Sequence, residues 1–107
     1  MIYNFMRLLV LFDLPMVSKN EIRIYNKFRK WLVENGYCMM QYSIYIKSFN
    51  NRDSCVKHID VLKRYVPKQG QIRIMMITER QYENIEIIVG GMSRQETFSA
   101  PNPMIIL

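Results

Sequence analysis

The sequence predicts an α+β fold in which helices cover one β-sheet. Two strongly apolar segments, at residues 8–12 and 72–77, are typical of central strands. Between them lie segments whose apolar residues recur at helical spacing. The chain has 107 residues, half of them hydrophobic and 22% charged, which is typical of one globular domain rather than a disordered chain. These observations favour a single sheet with two helices and one core.

The first predicted strand covers Met6–Asp13 and ends before Pro15, because proline has no N–H group to donate to a β-ladder. A helix follows. It begins with a capping box, in which the Ser18 side chain accepts a hydrogen bond from a backbone N–H and Glu21 reaches back to the cap. Gly36 is typical of the residue that ends such a helix.

The remaining elements are predicted from β-branched, aromatic and helical patterns. They are a second strand over Tyr37–Lys47, a second helix over Ser54–Tyr65, a third strand over Gln71–Thr78 and a fourth strand over Tyr82–Val89. We assign the chain to the ferredoxin-like fold, whose order of elements is βαββαβ. In that fold two helices cover one face of the sheet and leave the other face bare.

The first and third predicted strands are apolar on both faces. If one face of the sheet were exposed to solvent, apolar and polar residues would alternate along these strands. A homodimer packed sheet to sheet would bury that second face. We expect residues 1–92 to form the ferredoxin-like domain. After a linker from residue 93, Met104–Leu107 is predicted as an extra C-terminal strand that docks on a partner or on the other protomer. A frayed terminus is the alternative for this tail.

The chain is basic, with 15 Lys and Arg residues against 9 Asp and Glu residues and a net charge of +6. This excess favours a polyanionic partner, nucleic acid before an anionic membrane. Four basic residues are spaced so that they form one stripe along the first helix: Lys19, Arg23, Lys27 and Lys30. Such a stripe can follow a phosphate backbone. Its alternative interpretation is a solvated helix face.

Neither the cysteines nor the histidine form a pattern that indicates a metal site or a catalytic site. The two cysteines, Cys38 and Cys55, lack metal-ligand spacing and indicate reduced thiols in a cytoplasmic protein. We expect no signal peptide and no membrane-spanning segment. The single histidine, His58, is expected to be a surface residue, since no nucleophile or carboxylate pattern accompanies it.

Asp13 is the leading candidate for a functional residue, because it stands at the end of a rigid strand. Magnesium takes six oxygen ligands, so one carboxylate alone does not hold it tightly. If Asp13 lies near the two-fold axis of a dimer, however, two carboxylates converge and a metal can sit between them. The alternative is a strand-end aspartate that accepts backbone hydrogen bonds in the turn at residues 14–18.

Three segments, Leu9–Pro15, Gly36–Tyr45 and Arg73–Gly90, resemble a known family. It is the small subunit of the CRISPR spacer-acquisition complex, the second of the two universal CRISPR-associated adaptation proteins. The most specific parts are Phe-Asp-Leu-Pro at residues 12–15 and Gln-Tyr-Ser-Ile-Tyr at residues 41–45. The chain resembles the version that accompanies Cas9-type systems.

The resemblance implies a ferredoxin-like homodimer with Mg²⁺ between two copies of Asp13, and a catalytic site to which the retained aromatic Tyr45 contributes. It implies a metal-dependent endonuclease activity on single-stranded RNA or double-stranded DNA. It also implies a scaffold that bridges two dimers of the integrase subunit and lies along incoming DNA.

The chain departs from some nuclease-active members of the family it resembles at two positions, where it has Phe12 in place of Tyr and Met39 in place of Arg. Loss of these polar groups weakens support for a metal, so we expect the adaptor role in spacer acquisition to be the main one. An alternative outside the family is a ferredoxin-like module that binds a small regulatory molecule. The basic helices and the lack of a glycine-rich ligand loop disfavour it.

Overall fold

A computed structural model of the chain describes residues 5–91, which form four strands and three helices. In chain order they are β1 (Met6–Asp13), α1 (Lys19–Glu34), β2 (Cys38–Gln41), β3 (Ile44–Phe49), α2 (Arg52–Tyr65), β4 (Gln71–Thr78) and α3 (Glu79–Glu83). The strands form one sheet in the order β2-β3-β1-β4, with every neighbouring pair antiparallel. The predicted α+β, ferredoxin-like βαββαβ fold is therefore confirmed.

The strand predicted over Tyr37–Lys47 is wrong in one respect, because the segment is a hairpin of two strands. Ser43 in the turn has φ 63°, a left-handed conformation that residues other than glycine seldom adopt. Its carbonyl oxygen accepts a hydrogen bond from the Phe12 N–H at 3.0 Å. This contact with β1 helps hold a turn that contains neither glycine nor proline, so no local turn signal marked it.

The fourth strand predicted over Tyr82–Val89 is also wrong. The Thr78 side chain accepts a hydrogen bond from the Gln81 N–H at 3.1 Å, and Gln81 Oε1 accepts from the Thr78 N–H at 2.8 Å. This capping box begins the short helix α3, and Tyr82 is buried from that helix. Beyond it, residues 84–91 form no strand within the described part of the chain. The fourth strand of the fold is β4 instead.

One face of the sheet is covered by α1 and α2, and the main core lies between them. Ser18 Oγ accepts from the Glu21 N–H at 3.0 Å, and Glu21 Oε1 accepts from the Ser18 N–H at 2.9 Å, so the predicted capping box is confirmed. In the first turn of α2, Cys55 is fully buried, whereas Val56 is exposed. The buried residues of this covered face include Leu8, Val10, Phe12, Phe28, Leu32, Tyr45 and Leu62.

The second face, which we call the open face, carries a smaller cluster of Leu9, Ile46, Ile77 and Tyr82. Residues of β1 alternate between the two faces, so odd-numbered residues from Arg7 to Asp13 belong to the open face. None of the helices described between residues 5 and 91 is long and apolar enough to cross a membrane. The predicted C-terminal strand at Met104–Leu107 lies outside the described residues.

Candidate active site at the end of strand β1

Asp13 is the last residue of β1 and its side chain is exposed. The backbone beneath it is held by the turn before β4. Gly70 has φ +84°, and a Cβ atom at Gly70 would lie 2.5 Å from the Asp13 carbonyl oxygen. Only glycine allows this close approach, so the turn fixes the main chain at Asp13 while the carboxylate stays accessible.

The Asp13 carboxylate has no hydrogen-bond or ion-pair partner among the residues that the structure describes. The alternative interpretation, a carboxylate that caps the turn after the strand, is therefore wrong. The N–H groups of Val17 and Ser18 instead donate to Glu21 Oε1, at 3.0 and 2.9 Å. Because Glu21 accepts these hydrogen bonds, the turn after β1 does not need the Asp13 side chain.

Asp13 lies on the rim of a shallow depression with a volume of about 310 Å³. The strand register explains the composition of this site, which we call the Asp13 depression. Asp13 pairs with Gln71 and Leu11 pairs with Arg73 across β1 and β4, so these two polar β4 residues flank the carboxylate. The β2–β3 turn closes the other side. The lining residues are Leu11, Phe12, Asp13, Tyr42, Ser43, Ile44, Gln71 and Arg73.

Sequence reasoning missed Gln71, Arg73 and the turn residues Tyr42 and Ser43 as members of this site. Arg73 interrupts an otherwise apolar run in β4, and that interruption was the one available signal. Without the sheet order, nothing in the sequence tells which β1 residue stands beside Arg73.

A metal site is incomplete in one protomer. Within residues 5–91, no group of three or more His, Cys, Asp or Glu residues could hold a metal ion. Asp13 supplies one carboxylate, and Mg²⁺ needs a larger set of oxygen ligands. The donor set of a single chain therefore does not fit a resident Mg²⁺ ion without a second carboxylate from elsewhere.

Tyr45 is placed away from the Asp13 depression. It pairs with Val10 across β1 and β3 and belongs to the covered face, where it is 1% exposed. Its hydroxyl accepts a hydrogen bond from Arg29 Nε at 2.7 Å, and its ring stacks on Phe12 with centroids 5.8 Å apart. The structure therefore does not bring the two predicted catalytic residues, Asp13 and Tyr45, together within one protomer.

The predicted basic stripe lies on the exposed side of α1. Its members Lys19, Arg23, Lys27 and Lys30 are all exposed. Arg23 donates to Asn20 Oδ1 at 2.6 Å, and its charge has no carboxylate partner within residues 5–91. The stripe and the Asp13 depression therefore belong to different sides of the sheet, since α1 covers the face opposite Asp13.

A buried arginine at the other end of β1 also escaped sequence analysis. Arg7 is 1% exposed, and its Nε and Nη2 donate to the two carboxylate oxygens of Glu79 at 2.8 and 3.0 Å. Its guanidinium lies 3.7 Å from the centre of the Tyr82 ring. This ion pair fastens α3 to the open face and is a structural contact, because both charges are already paired.

The prediction that His58 is a surface residue needs correction, because the residue is only partly exposed. It lies among aromatic rings of the covered side, 5.3 Å from the Phe49 ring and 5.5 Å from the Tyr37 ring between centroids. Its Nε2 is buried without a hydrogen-bond partner in the described part of the chain. Burial, and next the charge of Lys47, lower the pKa of His58 below its ordinary value.

These features define a class: a ferredoxin-like α+β protein with a free carboxylate at the end of its first strand. Comparison with known proteins supports this fold and identifies the family. The model of the family described as CRISPR associated protein Cas2 matches residues 6–85, which is well over half of the chain. The chain therefore belongs to the Cas2 family of CRISPR-associated proteins, and the predicted family is confirmed. This membership leaves the small-molecule regulatory module without support.

Two relatives illustrate the similarity. The CRISPR-associated endoribonuclease Cas2 of Acidovorax ebreus is 41% identical over 85 residues, covering 79% of this chain and 83% of that protein. The protein of the same name from Treponema denticola is 37% identical over 105 residues, covering 95% and 100%. A solved structure titled "Crystal structure of cas2" has a TM-score of 0.54 and 18% identity, and covers 84% of this chain and 91% of that one. It supports the fold.

Proposed function

We propose that this chain is a nucleic-acid-binding nuclease of CRISPR defence, and that the Asp13 depression is where it cleaves a phosphodiester bond. The observation that carries the proposal is the Asp13 carboxylate, which is exposed and has no partner within residues 5–91. Members of the same family from other organisms are named endoribonucleases. Asp13 ends a strand, and functional side chains are positioned more precisely on strands and helices than on loops.

The proposed working form is a homodimer packed through the open face. Apolar side chains remain accessible there, including Met75, which is 51% exposed. After α3, Ile88 and Val89 are 91% and 90% exposed. Exposed apolar surface of this kind favours an interface. Light scattering should give about twice the 12.9 kDa chain mass at micromolar concentration, and a stable monomer would contradict the dimer.

The proposed cofactor is Mg²⁺ held between two copies of Asp13, since one protomer supplies a single carboxylate. When bound, the ion would act as a Lewis acid and neutralise phosphate charge. The role of the protein is to position the two carboxylates. Isothermal titration with Mg²⁺ tests this without any substrate. We expect binding of about one ion per dimer that disappears in Asp13→Asn.

The decisive experiment measures cleavage of labelled single-stranded RNA and double-stranded DNA by Asp13→Asn. We expect cleavage to fall by about 100-fold or more, while the thermal unfolding curve stays the same because the Asp13 side chain has no hydrogen bond or ion pair within residues 5–91. Asp60→Asn, which removes an exposed carboxylate of α2, is the matched control. If Asp13→Asn folds and still cleaves like the wild type, the nuclease proposal fails.

A second candidate function is an adaptor that binds DNA and bridges two dimers of the integrase subunit during spacer acquisition. The exposed stripe on α1 favours it, because four cations on one helix face can follow a phosphate backbone. In cells that carry the integrase subunit, a pure adaptor should retain spacer acquisition in Asp13→Asn. Loss of acquisition with an intact fold and complex would instead assign the role to the nuclease.

The stripe is tested by reversing the charges of Lys19, Arg23 and Lys27. DNA affinity should fall alike for all sequences, and the dependence of log affinity on log salt should become shallower. The matched control reverses Lys57, Lys63 and Arg64 on α2, which changes the net charge by the same amount. Equal effects of the two triple variants would show that net charge, and not the α1 stripe, determines binding.

A further inference from the structure

The Asp13 depression presents a problem for any phosphodiester substrate, because a lone carboxylate repels a phosphate. Among the described residues that line the depression, Arg73 is the only cation. Phe12, which also lines the depression, is apolar and buried in the core. The charge needed to attract a phosphate must come from another position.

Strand register places Arg73 beside Asp13. Arg73 pairs with Leu11 and Asp13 pairs with Gln71 across β1 and β4, so Asp13 and Arg73 are diagonal neighbours on the open face. Diagonal neighbours in an antiparallel pair lie about 7–8 Å apart, within reach of a long side chain. A phosphate can therefore contact the Arg73 guanidinium while its ester oxygen lies near the Asp13 carboxylate.

Arg73 is available for a ligand. Its side chain is exposed, and within residues 5–91 it has no hydrogen bond, ion pair or ring contact, not even with Asp13. Two other arginines of the chain differ in this respect. Arg7 is buried in a two-fold hydrogen-bonded pair with Glu79, and Arg29 donates to Tyr45. Arg73 interrupts an apolar strand and has none of these contacts within residues 5–91, so its presence requires another explanation.

We infer that Arg73 is a phosphate-binding residue of the Asp13 depression, and that its guanidinium holds the phosphodiester of a nucleic acid beside the Asp13 carboxylate. The inference rests on the proposed function. Guanidinium suits this task because its planar N–H groups match two phosphate oxygens at once. The volume of about 310 Å³ lies at the lower end of the range for small-molecule sites. It therefore suits one phosphodiester unit rather than a length of duplex.

A purely structural role makes a different prediction. With that role, Arg73 would serve in a sheet-to-sheet dimer only as an ion-pair partner for Asp13 of the second copy. Removing Arg73 would then weaken the dimer and affect nucleic acid only through it. The oligomeric state, measured beside binding, separates the two roles.

The test is binding of a fluorescently labelled single-stranded RNA, measured by anisotropy in EDTA over a series of salt concentrations. For Arg73→Gln we expect affinity to fall about tenfold and the magnitude of the slope of log affinity against log salt to fall by about 0.7. Arg73→Lys keeps the charge but loses the planar guanidinium that binds two phosphate oxygens. It should therefore keep the salt dependence of the wild type and recover only part of the affinity. Arg64→Gln, an equal charge change on exposed α2, is the control.

Two results would overturn the inference. In one, Arg73→Gln binds RNA with the affinity and salt slope of the wild type, or changes them no more than Arg64→Gln does. In the other, light scattering shows that Arg73→Gln has dissociated the dimer. Failure of the nuclease proposal is a separate result. If the nuclease proposal alone fails, Asp13→Asn retains cleavage while Arg73→Gln still weakens RNA binding.

Discussion

The two faces of the sheet use the residues of one strand for different purposes. On the covered face, Leu8 and Val10 have no exposed surface and pack beneath α1 and α2. On the open face, the burial of β1 decreases along the strand, from Arg7 and Leu9, which are buried, to Leu11, which is half-buried, and Asp13, which is exposed. The comparison indicates that the covered face supplies stability, whereas the far end of the open face is available for recognition and chemistry.

The open face is itself divided. At the start of β1 it is closed by α3, through Glu79 and Tyr82 around Arg7. At the end of β1 no helix of the described part covers Asp13. Three predictions follow for the covered face and for the closed end of the open face, ordered from the largest expected effect to the smallest.

The largest effect is expected from truncating the covered face. Leu8→Ala should lower the free energy of unfolding by about 3 kcal/mol, because the site is fully buried and leaves a cavity. Met75→Ala, on the half-exposed part of the open face, should cost less than about 1 kcal/mol in dilute protein. Urea unfolding measures both. Equal losses at low protein concentration would contradict the division between the faces.

A smaller effect is expected at the closed end of the open face. Glu79→Gln should cost about 2 kcal/mol in the free energy of unfolding, because it leaves the buried Arg7 charge without its partner. The figure is below that for a fully buried pair since the Glu79 side chain is 18% exposed. Glu83→Gln, an exposed position of the same helix, is the control and should be nearly neutral. A neutral Glu79→Gln would mean that α3 contributes little to the open face.

The smallest effect concerns pH and the covered side. The pKa of His58 is lowered, chiefly by burial and next by Lys47, so the folded state binds a proton less readily than the unfolded chain. The stability that His58 contributes is therefore full above the unfolded pKa of about 6.5 and is lost as pH falls through the folded pKa. His58→Gln should reduce the dependence of the unfolding free energy on pH in that window.

NMR titration of the His58 ring would measure the shift directly. A His58 pKa at or above the value of a free histidine would contradict the burial that the structure assigns to this ring. The comparison between wild type and His58→Gln also removes the contribution of carboxylates, which titrate in both proteins.

Much of the fold could be predicted from local patterns. The bounds of β1 and β4 agree with the predicted segments Met6–Asp13 and Gln71–Thr78, since an apolar run and its ends are visible in consecutive residues. The Ser18 capping box is similarly local. The hairpin at Ser43 and the helix after Thr78 were missed. The Ser43 turn is held in part by a hydrogen bond from β1, which the local sequence does not show. After Thr78, a capping box begins a helix although the apolar residues that follow have the pattern of a strand.

The sequence by itself determined the family and the strand-end position of Asp13, because both depend on residues that are neighbours in the chain. Only the tertiary structure decided what surrounds Asp13. Strand register places Gln71 and Arg73 beside it, about sixty residues further along the chain, and places Tyr45 on the opposite face. The physical reason is that side chains alternate across a sheet. Residues from separate strands therefore share a site only when both the strand order and the register are known.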